Sequence, residues 1–254
     1  MNLGLEGRVA IVTGPAKGMG AAITLALARE GVDLSLAGRD MAAIAPVAAQ
    51  ARKLGRKVIE VPCDVTRESE VERLVRDTLA AFGGRIDILV NVAGGRGPLE
   101  TAAWDTTPGQ FDEILQLNMK GCFLTMRAVA PAMRERRWGR IINICSLAMK
   151  TGGLTAGTAY TTSKGALGAF TFSLARELAA DGVTANGIAP AYIKTNMVTE
   201  QLTEQQRQDL LRAIPVGRFC EPEEVAHVVV FLSSALSGFI TGEIVDINGG
   251  LHLD

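Results

Sequence analysis

The chain has 254 residues, 48% of them hydrophobic and 21% charged, with a formal net charge of −1, which suits one α/β domain over residues 1–254 whose core needs neither disulfide nor metal. The balanced charge lacks the basic footprint of a nucleic-acid binder, and no apolar run approaches the roughly 18 residues that span a bilayer, so neither nucleic acid nor membrane is an expected partner. The histidines, His227 and His252, stand in no H-E-x-x-H pattern, and there is no G-x-S-x-G, which leaves zinc enzymes and Ser-His-Asp hydrolases without their parts.

Residues 8–13 read as the first strand, followed by a glycine turn and a helix over 18–30. A strand over 32–37 places Val32, Leu34 and Leu36 on one face, and a helix over 41–54 leads to a strand at 57–61. Over 67–82, Val71, Leu74, Val75, Thr78 and Leu79 recur at helical spacing with charges between them. Residues 86–90 are apolar at almost every position, as in a parallel strand covered on both faces. A long helix is predicted over 111–136, stopped by Gly139 with arginines in its last turn. A strand over 140–144, a helix over 159–180, a strand over 183–188, a helix over 223–233 opened by Pro222 and a last strand over 243–247 complete the alternation. This pattern predicts a single Rossmann-type, doubly wound parallel sheet of about seven strands flanked by helices, with right-handed crossovers. Residues 191–219 interrupt the alternation and are a candidate substrate lid, whose Tyr192, Met197, Val198 and Leu202 suggest a partly apolar substrate.

The cysteines Cys63, Cys122, Cys145 and Cys220 form no C-x-x-C pair, the pattern of reduced thiols in a cytoplasmic protein, and residues 9–12 are too short an apolar run for a signal-peptide core. Cys122 and Cys145 sit in apolar contexts and read as core. His227 lies on an apolar helix face and reads as packing, and the basic cluster over 134–140 reads as a charged helix end.

Two features carry chemistry. The first strand runs into Thr13-Gly14-Pro15-Ala16-Lys17-Gly18-Met19-Gly20 and then a helix. Glycines there let backbone approach a pyrophosphate while the helix N-terminus offers it unpaired N–H groups, a dinucleotide-binding arrangement although the spacing is not G-x-G-x-x-G. Tyr160 and Lys164 lie four apart at the start of a predicted helix and so share a face. A free tyrosine titrates at about 10, so acid–base work near neutrality needs a neighbouring cation such as a lysine ammonium to favour the phenolate. Ser146, at the end of the preceding strand, is placed to donate a hydrogen bond to a substrate carbonyl oxygen.

Together these residues make the chain resemble a short-chain dehydrogenase/reductase over nearly its whole length, from the Thr13–Gly20 turn to Asn248-Gly249-Gly250. Asn91-Val92-Ala93-Gly94 resembles the family's N-N-A-G motif, which supports the sheet and borders the cofactor, with valine at its second position. Asp64 and Val65 fall in the segment whose aspartate contacts the adenine in the family. Asn118, Ser146, Tyr160 and Lys164 match its catalytic tetrad in order. Pro190-Ala191-Tyr192-Ile193-Lys194-Thr195 resembles the P-G-x-x-x-T segment beside the nicotinamide, with Ala191 in place of glycine. The resemblance implies that Ser146 and Tyr160 polarise a carbonyl, that Tyr160 donates the proton, that Lys164 assists it and binds the nicotinamide ribose, and that Asn118 holds a water connecting Lys164 to solvent. Cofactor contacts are then expected from Gly14, Ala16, Lys17, Gly18, Met19, Gly20, Arg39, Asp64, Val65, Asn91, Ala93, Gly94, Tyr160, Lys164, Pro190, Ile193 and Thr195.

An acid at the end of the second strand would bind a ribose 2′-hydroxyl, whereas this chain has Gly38-Arg39 there and Lys17 in the glycine turn, two cations suited to a 2′-phosphate; NADP(H) is expected over NAD(H). The pattern is most like that of 3-oxoacyl-acyl-carrier-protein reductases, which dock an acidic carrier on basic residues. Arg137 matches one such place, but Asp181 stands where the second cation belongs and speaks against the carrier. Reduction of a ketone, a 3-oxoacyl thioester or another small carbonyl, is expected, with a dehydrogenase acting on a sugar, polyol or cyclic alcohol, and more remotely a non-catalytic cofactor sensor, as alternatives. The family habit implies a homotetramer or homodimer built on the helices at 111–136 and 159–180.

Overall fold

The computed structural model describes residues 1–97, 101–153, 155–195 and 203–253. Seven strands lie in one sheet: β1 (Val9–Thr13), β2 (Asp33–Gly38), β3 (Val58–Pro62), β4 (Ile88–Asn91), β5 (Gly139–Ile144), β6 (Val183–Pro190) and β7 (Ile244–Ile247). Their order is β3-β2-β1-β4-β5-β6-β7 and every pairing is parallel. The central strands β1, β4, β5 and β6 are buried at every residue, which is why their sequences are apolar runs rather than alternations.

Alternate residues of each strand feed opposite faces. Ala10 and Val12 of β1, Ile88 and Val90 of β4 and Ile142 and Ile144 of β5 join one core with α1 (Gly18–Arg29), α2 (Met41–Lys53) and α9 (Pro222–Ser233). Ile11, Leu89 and Ile141 join the other, with α3 (Glu68–Ala81), α5 (Gly121–Glu135) and α7 (Thr158–Leu178). Each fully buried aliphatic side chain contributes about 1.5–3 kcal/mol. Val71, Leu74, Val75 and Thr78 are the buried stripe of α3 that the helical spacing anticipates. The chain winds outward from β1 to β2 and β3, then restarts on the other side with β4. The C-terminal ends of β1 and β4 therefore open a crevice at the reversal, where open α/β sheets place ligands.

Several expectations need correction. The helix expected over 111–136 begins earlier, at α4 (Pro108–Leu115), where Thr107 and Gln110 form a capping box, and a π-helical turn at Gln116–Lys120 separates it from α5. The helix expected over 159–180 is α7, closed by a 3-10 turn at Ala179–Asp181. A four-residue helix, α6 (Ala148–Thr151), follows β5, and the irregular stretch 191–219 contains α8 (Glu204–Ala213), opened by the Thr203–Gln206 capping box. That helix buries no residue, so it has no apolar stripe for the sequence to display. Met197, Val198 and Leu202 lie outside the described residues. His227 is exposed on α9 rather than packed. The basic cluster is not one helix end: Arg140 is buried in β5, donates to the carbonyls of Ser234 and Gly139, and with Arg8 sandwiches Trp138. Burial and the neighbouring Arg8 push its pKa down to about 10. No described helix is long and apolar enough to cross a membrane.

Candidate active site

The glycine turn has the geometry a pyrophosphate requires. Gly14 takes a φ of +68°, and a Cβ there would come within 3.0 Å of the Ala93 backbone; a Cβ on Gly20 would meet the Gly14 carbonyl oxygen at 2.0 Å. The turn can close only without these side chains, and it delivers the chain to α1. Lys17 caps α1 in an extended conformation with no side-chain cap bond, and the first turn holds no acid. The helix therefore meets the crevice with its positive end and its first N–H groups unobstructed by an anion of the chain. Thr195 packs against the same turn, its Cγ2 3.2 Å from where a Gly18 Cβ would stand.

Next to the turn lies a cleft of about 420 Å³ whose lining includes Gly14, Ala16, Lys17, Arg39, Asp64, Val65, Ala93 and Gly94. A dinucleotide fits this donor set: main-chain N–H groups and Lys17 for phosphates, a cation and a carboxylate farther out. Burial opposes ionisation of Asp64, but the Thr66 N–H (3.0 Å) and hydroxyl (2.8 Å), with Arg39 and Arg67 beyond, hold its carboxyl below the ordinary carboxylate value. Asp40, the neighbouring acid, accepts the Ala43 N–H at 3.0 Å and so caps α2.

A second pocket, of about 70 Å³, has Ser146, Tyr160 and Pro190 in its wall. Ser146 lies two residues beyond β5, where its Oγ accepts the Ala148 N–H at 3.2 Å. Tyr160 stands in the first turn of α7 with Lys164 one turn on. The Lys164 Nζ is buried, donates to the Ile144 carbonyl at 2.6 Å, and lies 5.8 Å from the centre of the Tyr160 ring. A Cβ on Gly94, which lines the cleft, would come within 3.7 Å of that Nζ, so Lys164 lies close behind the cleft wall.

Asn118 is fully buried in the π-turn. Its Oδ1 accepts the Gly95 N–H at 2.8 Å, and its Nδ2 donates to the Gly95 carbonyl at 2.8 Å and to Ser163 Oγ at 2.9 Å. Ser163 Oγ passes the bond on to the Tyr160 carbonyl at 2.7 Å. Asn118 thereby ties the loop after β4 to the first turn of α7 and is occupied in positioning both. Asn91, expected at the cofactor's border, is also an internal strut. Thr125 Oγ1 donates to its Oδ1 (2.8 Å), its Nδ2 donates to Asn143 Oδ1 (2.9 Å), and Asn143 donates to Thr171 (2.9 Å), a buried chain running beneath the site. Ile193 is buried and bridges to Cys220, and Met19 and Gly20 stand in the first turn of α1.

Arg96, Thr155 and the hydroxyl of Tyr192 add polar groups to the wall of this pocket. A cation in a glycine loop at the carboxyl end of a central strand was the available signal for Arg96.

The protein-family comparison matches residues 14–252 to the model described as enoyl-(acyl carrier protein) reductase. The 3-oxoacyl-(acyl-carrier-protein) reductase FabG of Aquifex aeolicus is 38% identical, covering 99% of this chain and 100% of that protein. Cyclohexanol dehydrogenase of Rhodococcus sp. (strain TK6) is 35% identical over 98% of each chain. The crystal structure of gox2181 superposes with a TM-score of 0.93 at 35% identity, covering 98% of this chain and 97% of that one. Fold, turn geometry and these full-length matches agree: the chain belongs to the short-chain dehydrogenase/reductase family and is an oxidoreductase acting between an alcohol and a carbonyl group.

Proposed function

We propose that the protein is an NADP(H)-dependent reductase of a small ketone, with Tyr160 as proton donor. The observation that carries this reading is the meeting of Ser146 and Tyr160 in one pocket, with the Lys164 Nζ 5.8 Å from the Tyr160 ring and a neighbouring cleft that holds Arg39 and Lys17. A bound nicotinamide dinucleotide would supply the hydride. The protein supplies position and charge. The Ser146 hydroxyl donates a hydrogen bond to the substrate carbonyl oxygen, and the Tyr160 hydroxyl gives its proton to that oxygen as charge develops. The Lys164 ammonium stabilises the tyrosinate left behind and reaches the ribose side of the cleft, while Asn118 holds the α7 turn that carries Tyr160. Main-chain N–H groups of the glycine turn would hold the phosphates of the dinucleotide, Asp64 and Val65 its adenine end, and Pro190 and Thr195 its nicotinamide end.

NADP(H) is favoured because Arg39 and Lys17 line the cleft; Asp40 lines it too, but one of its carboxylate oxygens accepts the Ala43 N–H and caps α2. The substrate is a small free molecule rather than a carrier-bound chain. Asp181 pairs with Arg134 at 2.5 Å and Arg137 donates to the Ala180 carbonyl, so two of the cations a carrier would use already have partners within the chain. A homotetramer or homodimer through α5 and α7 would cover Phe123 and Phe172, which those helices leave 38% and 50% exposed. The test is consumption of NADPH and NADH against a panel of 3-oxoacyl thioesters, free oxo acids, diketones, cyclic ketones and keto-sugars. Ketone-dependent oxidation of NADPH supports the reading. Turnover confined to NADH and cyclic alcohols would move it to the oxidative direction, the alternative that the cyclohexanol dehydrogenase relative favours.

A further inference from the structure

Two cavities meet at Tyr192. Among the described residues, Ala191 and Tyr192 line both the pocket of Ser146 and Tyr160 and a neighbouring cavity of about 140 Å³ that contains neither of those groups. Tyr192 crosses from one space to the other. Its main chain is fixed at the second cavity, where its carbonyl accepts the Cys220 N–H at 3.0 Å and the Lys194 N–H donates to the Cys220 carbonyl at 2.8 Å. Cys220 lines that cavity and not the catalytic pocket. The Tyr192 hydroxyl is fixed at the opposite end, sharing a hydrogen with Thr155 Oγ1 at 3.3 Å, and Thr155 lines the catalytic pocket and not the second cavity. Thr155 is itself held by the Arg96 guanidinium, which donates to its carbonyl and, at 2.7 Å, to its hydroxyl. The aromatic ring lies between these two anchors and stands where the two spaces adjoin.

The second cavity suits an apolar chain. Ile214, Val216 and Ile247 contribute to its wall, and the charged groups beside them, Arg218 and Glu224, satisfy each other through two bonds of 2.6 and 2.8 Å. An alkyl chain entering there would leave water without stripping the partner from either charge. We infer that Tyr192 is a specificity-determining residue, whose ring bars an apolar chain attached to the reacting carbonyl from the second cavity. The inference rests on the reductase reading for the place of that carbonyl; the partition acts on binding as well as on turnover, and is tested through both.

Butan-2-one and octan-2-one are compared in two assays: kcat/KM with NADPH, and ligand-observed NMR titration of the NADP⁺ complex, where no hydride is available. Tyr192→Ala is expected to raise the preference for octanone over butanone by about 10- to 200-fold relative to wild type in both assays, as the added methylenes gain a place out of water. Tyr192→Phe keeps the ring and loses the bond to Thr155, and its preference should stay within about threefold of wild type. A preference in Tyr192→Ala within about threefold of wild type, or one raised equally by Tyr192→Phe, overturns the inference. Should Tyr192→Ala fail to fold, Tyr192→Val takes its place under the same criterion. A raised NMR preference in Tyr192→Ala without ketone-dependent NADPH oxidation by any of the proteins overturns the reductase reading alone. Ketone reduction with an unchanged preference in Tyr192→Ala overturns the role of Tyr192 alone.

Discussion

The same substitution, glycine to alanine inside a helix, should move stability in opposite directions at Gly20 and Gly165. In α7 a Cβ on Gly165 meets nothing within 4 Å, so Gly165→Ala gains the helix preference of alanine, about 0.5–1 kcal/mol. In α1 the same gain is available to Gly20→Ala, but its Cβ would lie 2.0 Å from the Gly14 carbonyl oxygen and 3.1 Å from the Pro15 Cα, both backbone atoms. Relieving that overlap forces the end of β1 and the start of α1 apart, at a cost of about 1–3 kcal/mol for an overpacked site. The net is a loss of about 1–2 kcal/mol. At about 2–4 °C per kcal/mol for a chain of this size, Tm falls by roughly 2–8 °C for Gly20→Ala and rises by roughly 1–4 °C for Gly165→Ala. Because the displaced atoms form the phosphate turn, NADPH affinity, followed by nucleotide fluorescence, should fall at least about tenfold in Gly20→Ala. A Gly20→Ala protein as stable as the wild type with unchanged NADPH affinity would refute the turn geometry.

Asn118→Ala strips partners from both Gly95 main-chain groups and from Ser163, and at about 1–3 kcal/mol for each buried group left unpaired, chemical denaturation should register a loss of several kcal/mol. Arg39→Asp should lower kcat/KM for NADPH by about 100-fold and raise it for NADH, since a carboxylate repels a 2′-phosphate and accepts a 2′-hydroxyl. Burial pushes the thiols of Cys63, Cys122 and Cys145 up to about 11, 12 and 11 from the ordinary 9.0. The folded state holds those protons more tightly than the unfolded chain, so their contribution to stability is intact below pH 9 and is lost as pH rises towards 11–12; melting temperatures over that range should decline. At pH 8 a thiol reagent should react slowly with the native protein and with all four cysteines after unfolding in guanidinium.

The sequence displayed most plainly what repetition makes visible. Apolar runs such as Ile88–Asn91 announced strands covered on both faces, and the stripe of Val71, Leu74, Val75 and Thr78 announced α3. Tyr160, Lys164 and Ser146 were legible because a tyrosine and a lysine at helical spacing beside a serine have a shared chemical use. What stayed hidden depends on contacts between distant segments. The π-turn at Asn118 arises from bonds to Gly95 and Ser163, 23 and 45 residues away, and no local propensity encodes it. Helix α8 has no buried face to show as a period, and its capping box at Thr203 and Gln206 is its local signal. His227 looked like a packing residue because its neighbours Val225, Ala226, Val229 and Val230 are buried, yet it points to solvent from the other side of α9. The bond from Arg96 to Thr155 joins loops 59 residues apart, which no local pattern shows.

The most direct test of the central claim is Tyr160→Phe, measured for ketone-dependent NADPH oxidation and, separately, for NADPH binding. Removing the hydroxyl proposed to give its proton to the carbonyl oxygen should lower kcat by about 100- to 10,000-fold while NADPH affinity stays within a few-fold. A Tyr160→Phe protein that keeps a rate within tenfold of wild type, with the same substrates and cofactor, would contradict Tyr160 as the proton donor.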